Sequence, residues 1–497
     1  MIRDLLRDLG AALVATLLVV TAVLVGTAIE REDGTLHVNW PPLYAVAHPH
    51  VGAGTPAALA VAVAVVAYGP ALAALLPWRA LLAAAWATAT AWTFSLALVD
   101  GWQRGIAGRL TTQYEYLQVI NRFHDIPGTL RDFTHHILID SPGHWPAHVA
   151  GHPPAASLTF VLLDRIGLGG GGWAGVWCIT VGATACVAVL VTVRVLAGEV
   201  LARRAAPFLV LAPAAVWMGT SADGYFAAVA AWAVALLALA VTGGTGRTGG
   251  AGQAVGTGRT EGRGRTGGAG RTGRAGRTGG AGRTGRAGRT GHRVWAAAFG
   301  SGLLFGLTCY LSYGLTLFAV IAAGVLVLGR ERVRVLPLLF AGLAVVPLVF
   351  TLAGFHWWEA YRLLVERYYQ GAGGLRPYGY WVWANLACTV LVVGLATVAG
   401  LRRAGVALVR QRGQVLRRRD ASGSAAEPRL ALLVYAALLA LLVADLSGMS
   451  KAETERIWLP FAMWLLAAGA FLPRPRAWLA AQATLALLLN HLLLTGW

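Results

Sequence analysis

Apolar stretches of about twenty residues, the length that crosses a bilayer as a helix, recur along this chain and restrict its fold more than any other feature. They fall near residues 10–29, 56–76, 80–99, 174–193, 206–220, 223–242, 294–310, 312–328, 334–354, 380–400, 431–447, 457–472 and 477–495. A soluble domain keeps a substantial polar exterior, whereas 57% of these 497 residues are hydrophobic and only 13% are charged. The charged residues sit between the apolar runs, as expected when lipid is the solvent. The expected fold is an all-α polytopic membrane protein of about 11–14 transmembrane helices with a long outer loop carrying interfacial helices. The first stretch lacks an A-x-A-type cleavage site and reads as a retained helix. Cys178, Cys186, Cys309 and Cys388 lie in apolar segments without metal-ligand spacing and read as small core residues.

The net charge of +19 would suggest a nucleic-acid partner in a soluble protein. Here Arg concentrates in loops 243–293 and 401–419 and reports membrane orientation instead. The segment MIRDLLRD, Arg79, Arg203, Arg204, the RERVR run at 330–334 and the RPR at 474–476 join those loops on the cytoplasmic side. Residues 30–54, 100–153, 355–379 and 446–456 are left outside. Residues 153–168 are apolar but short and end in Asp164-Arg165; a full span there would invert everything before it, so a half-inserted or surface-lying helix is expected. Residues 243–293 repeat GRTGGA and GRTGRA with eleven Arg against Glu261 alone. Such a Gly-rich tract has nothing to bury and reads as a disordered linker, ahead of a tether for anionic lipid or RNA. The organisation is therefore N-terminal helices over 1–79, a core over 80–242, the repeat loop 243–293, and C-terminal helices over 294–497.

Polar side chains at a membrane are costly and concentrate where function requires them. Loop 100–153 opens with Asp100 at the end of a helix and continues through Arg104, Arg109, Glu115, Tyr116, His148 and His152. Asp100 and Glu115 are the candidate catalytic carboxylates, placed to take a proton from an acceptor hydroxyl while Arg and His hold a phosphate leaving group. His144, His148 and His152 are spaced by four, but Pro146, Gly151 and Pro153 oppose a regular helix and no Cys or carboxylate completes a ligand set. Phosphate contact or simple interfacial polarity is the better reading for them, and the sequence leaves room for a divalent cation without fixing one. Asp223 in SADGYF, and Lys451, Glu455 and Arg456 in SKAETERIW, stand at the outer starts of later spans and complete the candidate substrate-binding set. The aromatic segment 355–379 reads as an interfacial belt, or as a lid that stacks on a sugar or a prenyl chain.

An acid just after a helix (Asp100), a long outer loop with Glu115-Tyr116, a Pro-Pro opening of the next helix (GHPPA, 151–155) and Ser221-Ala222-Asp223 at a later helix start together resemble the GT-C superfamily of integral-membrane glycosyltransferases. The SKAETERIW turn is similar to that of bacterial mannosyl- and arabinosyltransferase-like members. The pattern covers roughly 80–245 and, more loosely, 446–461. It departs from the superfamily at Gly101, where a second acid often follows the first. Glu30, Glu32 and Asp33 compete as the first-loop acids, although no Pro-Pro helix follows their loop. The resemblance implies an active site at the outer membrane interface, a polyprenyl-phosphate donor whose tail lies between helices, and Asp100 as base.

Activity and location follow as expectations: a hexosyl- or pentosyltransferase of a bacterial plasma membrane, using a polyprenyl-phosphate-linked sugar and a glycan, lipid or protein acceptor, with no nucleic acid. A transporter or flippase of a lipid-linked or polar solute is the alternative, yet transporters place ionisable groups near the midplane and show repeated halves. A non-catalytic scaffold held by the Arg-rich loop would let the outer acids change freely.

Overall fold

A computed structural model describes residues 2–243, 281–411 and 425–496, with side chains from residue 292 in the second of these stretches. Most of the expected disordered insert, and the 412–419 part of the second Arg-rich loop, lie outside the described residues. Among those described, nine helices are long and apolar enough to cross a membrane: Ile2–Glu32, Thr55–Leu75, Trp78–Asp100, Gly171–Ala197, Ala222–Val241, His292–Leu311, Arg332–Leu352, Tyr378–Arg410 and Ala426–Leu446. The chain is an all-α polytopic membrane protein.

Contacts between chain segments define two ends. At the basic end, Arg402 and Arg403 grip Asp8, Arg203 donates to the Ala73 and Leu76 carbonyls, Arg204 reaches the Leu472 carbonyl, and the amides of Arg330 and Glu331 meet the Val241 carbonyl. At the opposite end His50 meets Asp100, Arg109 meets the Thr495 carbonyl, and Arg376 ties Leu36 to Lys451. Four further segments run between these ends without forming one long apolar helix. They are Glu199–Val210 continued by Ala215–Met218, the pair Tyr313–Leu317 and Phe318–Leu328, the pair Leu459–Leu465 and Leu466–Phe471, and Pro475–Leu492. The expected span 206–220 is thus a broken one: Pro207 and Pro213 each lack an amide hydrogen, and the helix stops at Val210 and resumes at Ala215.

Residues 155–165 do not cross. Arg165 Nη2 returns to the carbonyls of Phe123 and His124 at 2.9 and 3.1 Å, so both ends of the Ala155–Arg165 helix lie at the end opposite the basic one. The long loop before it carries short helices, Tyr116–Phe123 and Ile126–Asp132 being the largest. It has an aromatic core of its own, with Trp145 stacked on Phe133 (5.1 Å between centroids) and Arg122 3.5 Å above the indole. The amphipathic helix of this end is Trp357–Gln370, strapped to the loop by Arg367, which donates to the carbonyls of Ile137 and Trp145. Short strands Ala45–Ala47 and Leu493–Thr495 pair antiparallel at the same end, where Arg109 donates to the Thr495 carbonyl.

Small residues allow the helices to approach closely, as packing in lipid requires. A methyl group at Gly302 would sit 2.0 Å from the Leu339 carbonyl oxygen, and one at Gly342 would sit 2.1 Å from that of Phe299. The Ala281–Leu311 and Arg332–Leu352 helices therefore pack backbone to backbone.

Candidate functional site

The site is assembled from three loops and the start of one helix. Ser221 caps the Ala222–Val241 helix by accepting the Asp223 amide at 3.1 Å, which fixes an acid in the first turn, where the helix dipole favours it. Asp223 is 3% exposed, and its Oδ2 accepts from Ser221 Oγ (3.1 Å) and from Arg456 Nη1 (2.7 Å). Arg456 comes from the turn before the Leu459–Leu465 helix and is buried. Burial works against its charge, but Asp223, Glu453 and Glu115 surround it and raise its pKa above the ordinary arginine value.

Glu115 faces this arginine across His148. Its Oε1 lies 2.9 Å from His148 Nδ1, and His148 Nε2 lies 3.3 Å from Arg456 Nη2. Arginine can only donate, so His148 Nε2 accepts and its Nδ1 carries the proton given to Glu115. Burial pushes the Glu115 carboxyl upward, and the hydrogen bond from His148, with the charge of Arg456, outweighs it and holds the pKa below the usual value. Its Oε2 is buried and has no hydrogen-bond partner among the described residues. An acceptor orphaned in this way at the edge of a cleft is a feature that calls for a ligand.

The cleft has about 280 Å³ of non-atom space, part of it open to solvent. Arg109, Glu115, Tyr116, Ser221, Ala222 and Arg456 border it, together with Thr220 and Gly496. Thr220 holds a left-handed backbone (φ 79°) and is pinned by a 2.6 Å bond from its hydroxyl to the Gly105 carbonyl. Arg109 is almost buried; burial lowers its pKa to about 10 against the pull of Asp100, so it stays charged at neutral pH. The Tyr116 phenol is pushed well above its ordinary range by burial and the nearby carboxylates of Asp223 and Glu115. His152 packs against Tyr116 and Phe226 and gives its Nδ1 proton to the His148 carbonyl. Burial, with a smaller repulsion from Arg456, brings it down to about 4 despite Asp223.

The other residues singled out from the sequence lie at the same end but outside this lining. Asp100 binds His50 Nε2 (2.7 Å) through Oδ1 and Arg109 Nη2 (3.0 Å) through Oδ2, and so touches the cleft through Arg109; Arg104 stands 3.8 Å off, half-exposed. Lys451 donates to the Gly373 carbonyl, and Glu455 accepts the Tyr44 amide, each at 2.9 Å. Glu30 accepts the amides of Leu36 and His37, while Glu32 and Asp33 are exposed. Among the described residues no group of three or more His, Cys, Asp or Glu side chains is arranged to hold a metal ion. Sequence reasoning passed over His50, Thr220, Thr495 and Gly496. Loop polarity alone marked His50, and nothing local marked the other three.

No protein-family model and no curated protein matches this chain. Among solved structures it is similar to the crystal structure of the Archaeoglobus fulgidus oligosaccharyltransferase in complex with zinc and sulfate, with 16% identity and a TM-score of 0.42 over 81% of this chain and 53% of that one. The chain spans about half the length of that protein. The chemistry of the cleft stands on its own geometry.

Proposed function

We propose that this protein is a membrane glycosyltransferase that moves a sugar from a polyprenyl-phosphate donor to a cell-envelope glycan, lipid or protein. The cleft end is then the outer face of a bacterial plasma membrane. The observation that carries the reading is the cleft itself: the buried Arg456, the nearly buried Arg109 and the start of a 20-residue helix surround one buried carboxylate, Glu115, with an unpaired oxygen. Cations and a helix start together suit a phosphate. A carboxylate a short distance away suits a hydroxyl nucleophile.

In the proposed reaction the acceptor oxygen bonds to the anomeric carbon while the bond from that carbon to the phosphate oxygen breaks. The electron pair leaves with the polyprenyl phosphate, whose growing negative charge Arg109 and Arg456 stabilise. The acceptor's proton passes to Glu115 Oε2. A glycosyl transition state resembles an oxocarbenium ion, so the proton is lost late from an oxygen already made acidic, and a weak base held ionised is sufficient. Of the two candidate carboxylates we assign the base to Glu115, because it borders the cleft. Asp100, with both oxygens engaged by His50 and Arg109, acts through Arg109.

The test is transfer of labelled sugar from polyprenyl-phosphate donors in membranes containing matched amounts of wild type, Glu115→Gln or Asp100→Asn. Glu115→Gln is expected to lower the rate at least about a hundredfold. Asp100→Asn should raise the donor KM more than it lowers kcat. The reverse pattern would return the base to Asp100, and no transfer by wild type with any such donor would overturn the reading and favour transport.

A further inference from the structure

Between the first two membrane passages the chain runs His48-Pro49-His50, and the proton count of His50 reaches the cleft. Its Nδ1 lies 2.8 Å from the His48 carbonyl oxygen, and its Nε2 lies 2.7 Å from Asp100 Oδ1. A carbonyl oxygen only accepts, so Nδ1 carries a hydrogen. An ionised carboxylate also only accepts, so a hydrogen must lie between Nε2 and Oδ1 as well. The pair therefore holds one proton more than a neutral imidazole beside a carboxylate would. Arg109 at 3.0 Å and Arg104 at 3.8 Å from Oδ2 favour the ionised carboxylate, which leaves the extra proton on the ring.

The remaining neighbours do not alter this count. His48 faces His50 with ring centroids 5.7 Å apart, and His491 stacks on it at 6.4 Å. His491 Nδ1 lies 2.8 Å from the Leu487 carbonyl, and its Nε2 lies 2.9 Å from the Thr55 hydroxyl. The Thr55 oxygen accepts the Gly52 amide and has its own hydrogen to give, so His491 needs no second proton. On the far side of Asp100, Arg109 is held a second time by Nη1 on the Thr495 carbonyl at 3.1 Å.

We propose that His50 is a positioning residue of the cleft: doubly protonated, it fixes Asp100, and Asp100 together with the Thr495 carbonyl fixes Arg109 for the phosphate of the donor. That the anion at Arg109 is a donor phosphate rests on the transferase reading; the protonated pair does not. A ring with one hydrogen fewer would turn its Nε2 lone pair toward a carboxylate oxygen, and the link to Asp100 would fail. Arg109 would then keep one tether fewer, and donor binding would weaken while kcat changes little.

Two measurements on the full chain test this. The first is carbethoxylation of His50 by diethyl pyrocarbonate, read by mass spectrometry between about pH 6 and 9. A doubly protonated ring is unreactive, so His50 should react more slowly in wild type than in Asp100→Asn across that range. Equal reactivity of the two proteins across that range overturns the proposal. The second is the donor KM. His50→Ala should raise it about tenfold with kcat within about twofold. His50→Gln should restore most of the affinity, since its amide also donates to Asp100. A wild-type KM in His50→Ala, or a KM in His50→Gln as high as in His50→Ala, overturns it. If wild type transfers from no polyprenyl-phosphate donor, the transferase reading fails and the carbethoxylation result still decides the His50–Asp100 pair.

Discussion

His152 shows how far one buried ring can tie stability to pH. Unfolded, its imidazole would titrate near 6.5; in the fold burial brings it down to about 4. Between those values the unfolded chain binds a proton that the folded chain refuses, so stability is full above the upper value and is lost as the pH falls toward the lower one. Thermal unfolding in detergent should therefore show a smaller drop from neutral to acid pH in His152→Gln than in wild type. An equal drop would place the acid sensitivity elsewhere. Glu115 is different: the His148 hydrogen bond and the Arg456 charge outweigh its burial and depress its pKa, which favours the ionised form.

At the scale of elements, a buried carboxylate clamps two helices together at the basic end, away from the cleft. Asp8 of the first helix is fully buried, with Oδ1 bound by Arg402 and Oδ2 by Arg403 of the Tyr378–Arg410 helix. Each arginine places Nε and Nη2 on one oxygen, so both oxygens are satisfied, and the attraction offsets the cost of burying the charges. Asp8→Asn leaves two partly buried guanidinium groups without their counter-ion and should cost about 3 kcal/mol. The expected outcome is a lower unfolding temperature with an unchanged donor KM. A changed KM would mean that the first helix also shapes the cleft. The Tyr378–Arg410 helix itself breaks its regular geometry at Gly394 (φ 80°), a backbone angle that favours glycine, where it passes Pro213 and Gln482.

For the whole molecule, thirteen passages among the described residues make an odd number, so the described chain starts and finishes at opposite ends. Val333 at the basic end and Trp358 at the cleft end are both well exposed. An impermeant maleimide should label Val333→Cys from the cytoplasmic side only and Trp358→Cys from the outer side only. Background should be low, because Cys178, Cys186 and Cys388 are buried and Cys309 is half-buried. Labelling of both positions from one side would refute the topology.

The sequence by itself determined the lipid-facing class, the thirteen apolar passages and the segregation of basic from acidic and histidine-bearing loops. These are properties of local composition: twenty apolar residues cross a bilayer wherever they stand, and loop arginines gather on one side of it. The returning Ala155–Arg165 helix was legible too, because it is too short and ends in charges. The companions of each charge were not legible. Arg456 meets Asp223 across 233 positions and Arg109 meets Thr495 across 386, and no local periodicity records contacts of that separation. The tertiary structure also ranked the acids: Asp100 and Glu115 share one loop, yet packing seals the first between His50 and Arg109 and brings the second to the cleft. A charge near a membrane has to find a partner or a ligand, and only the folded bundle decides which.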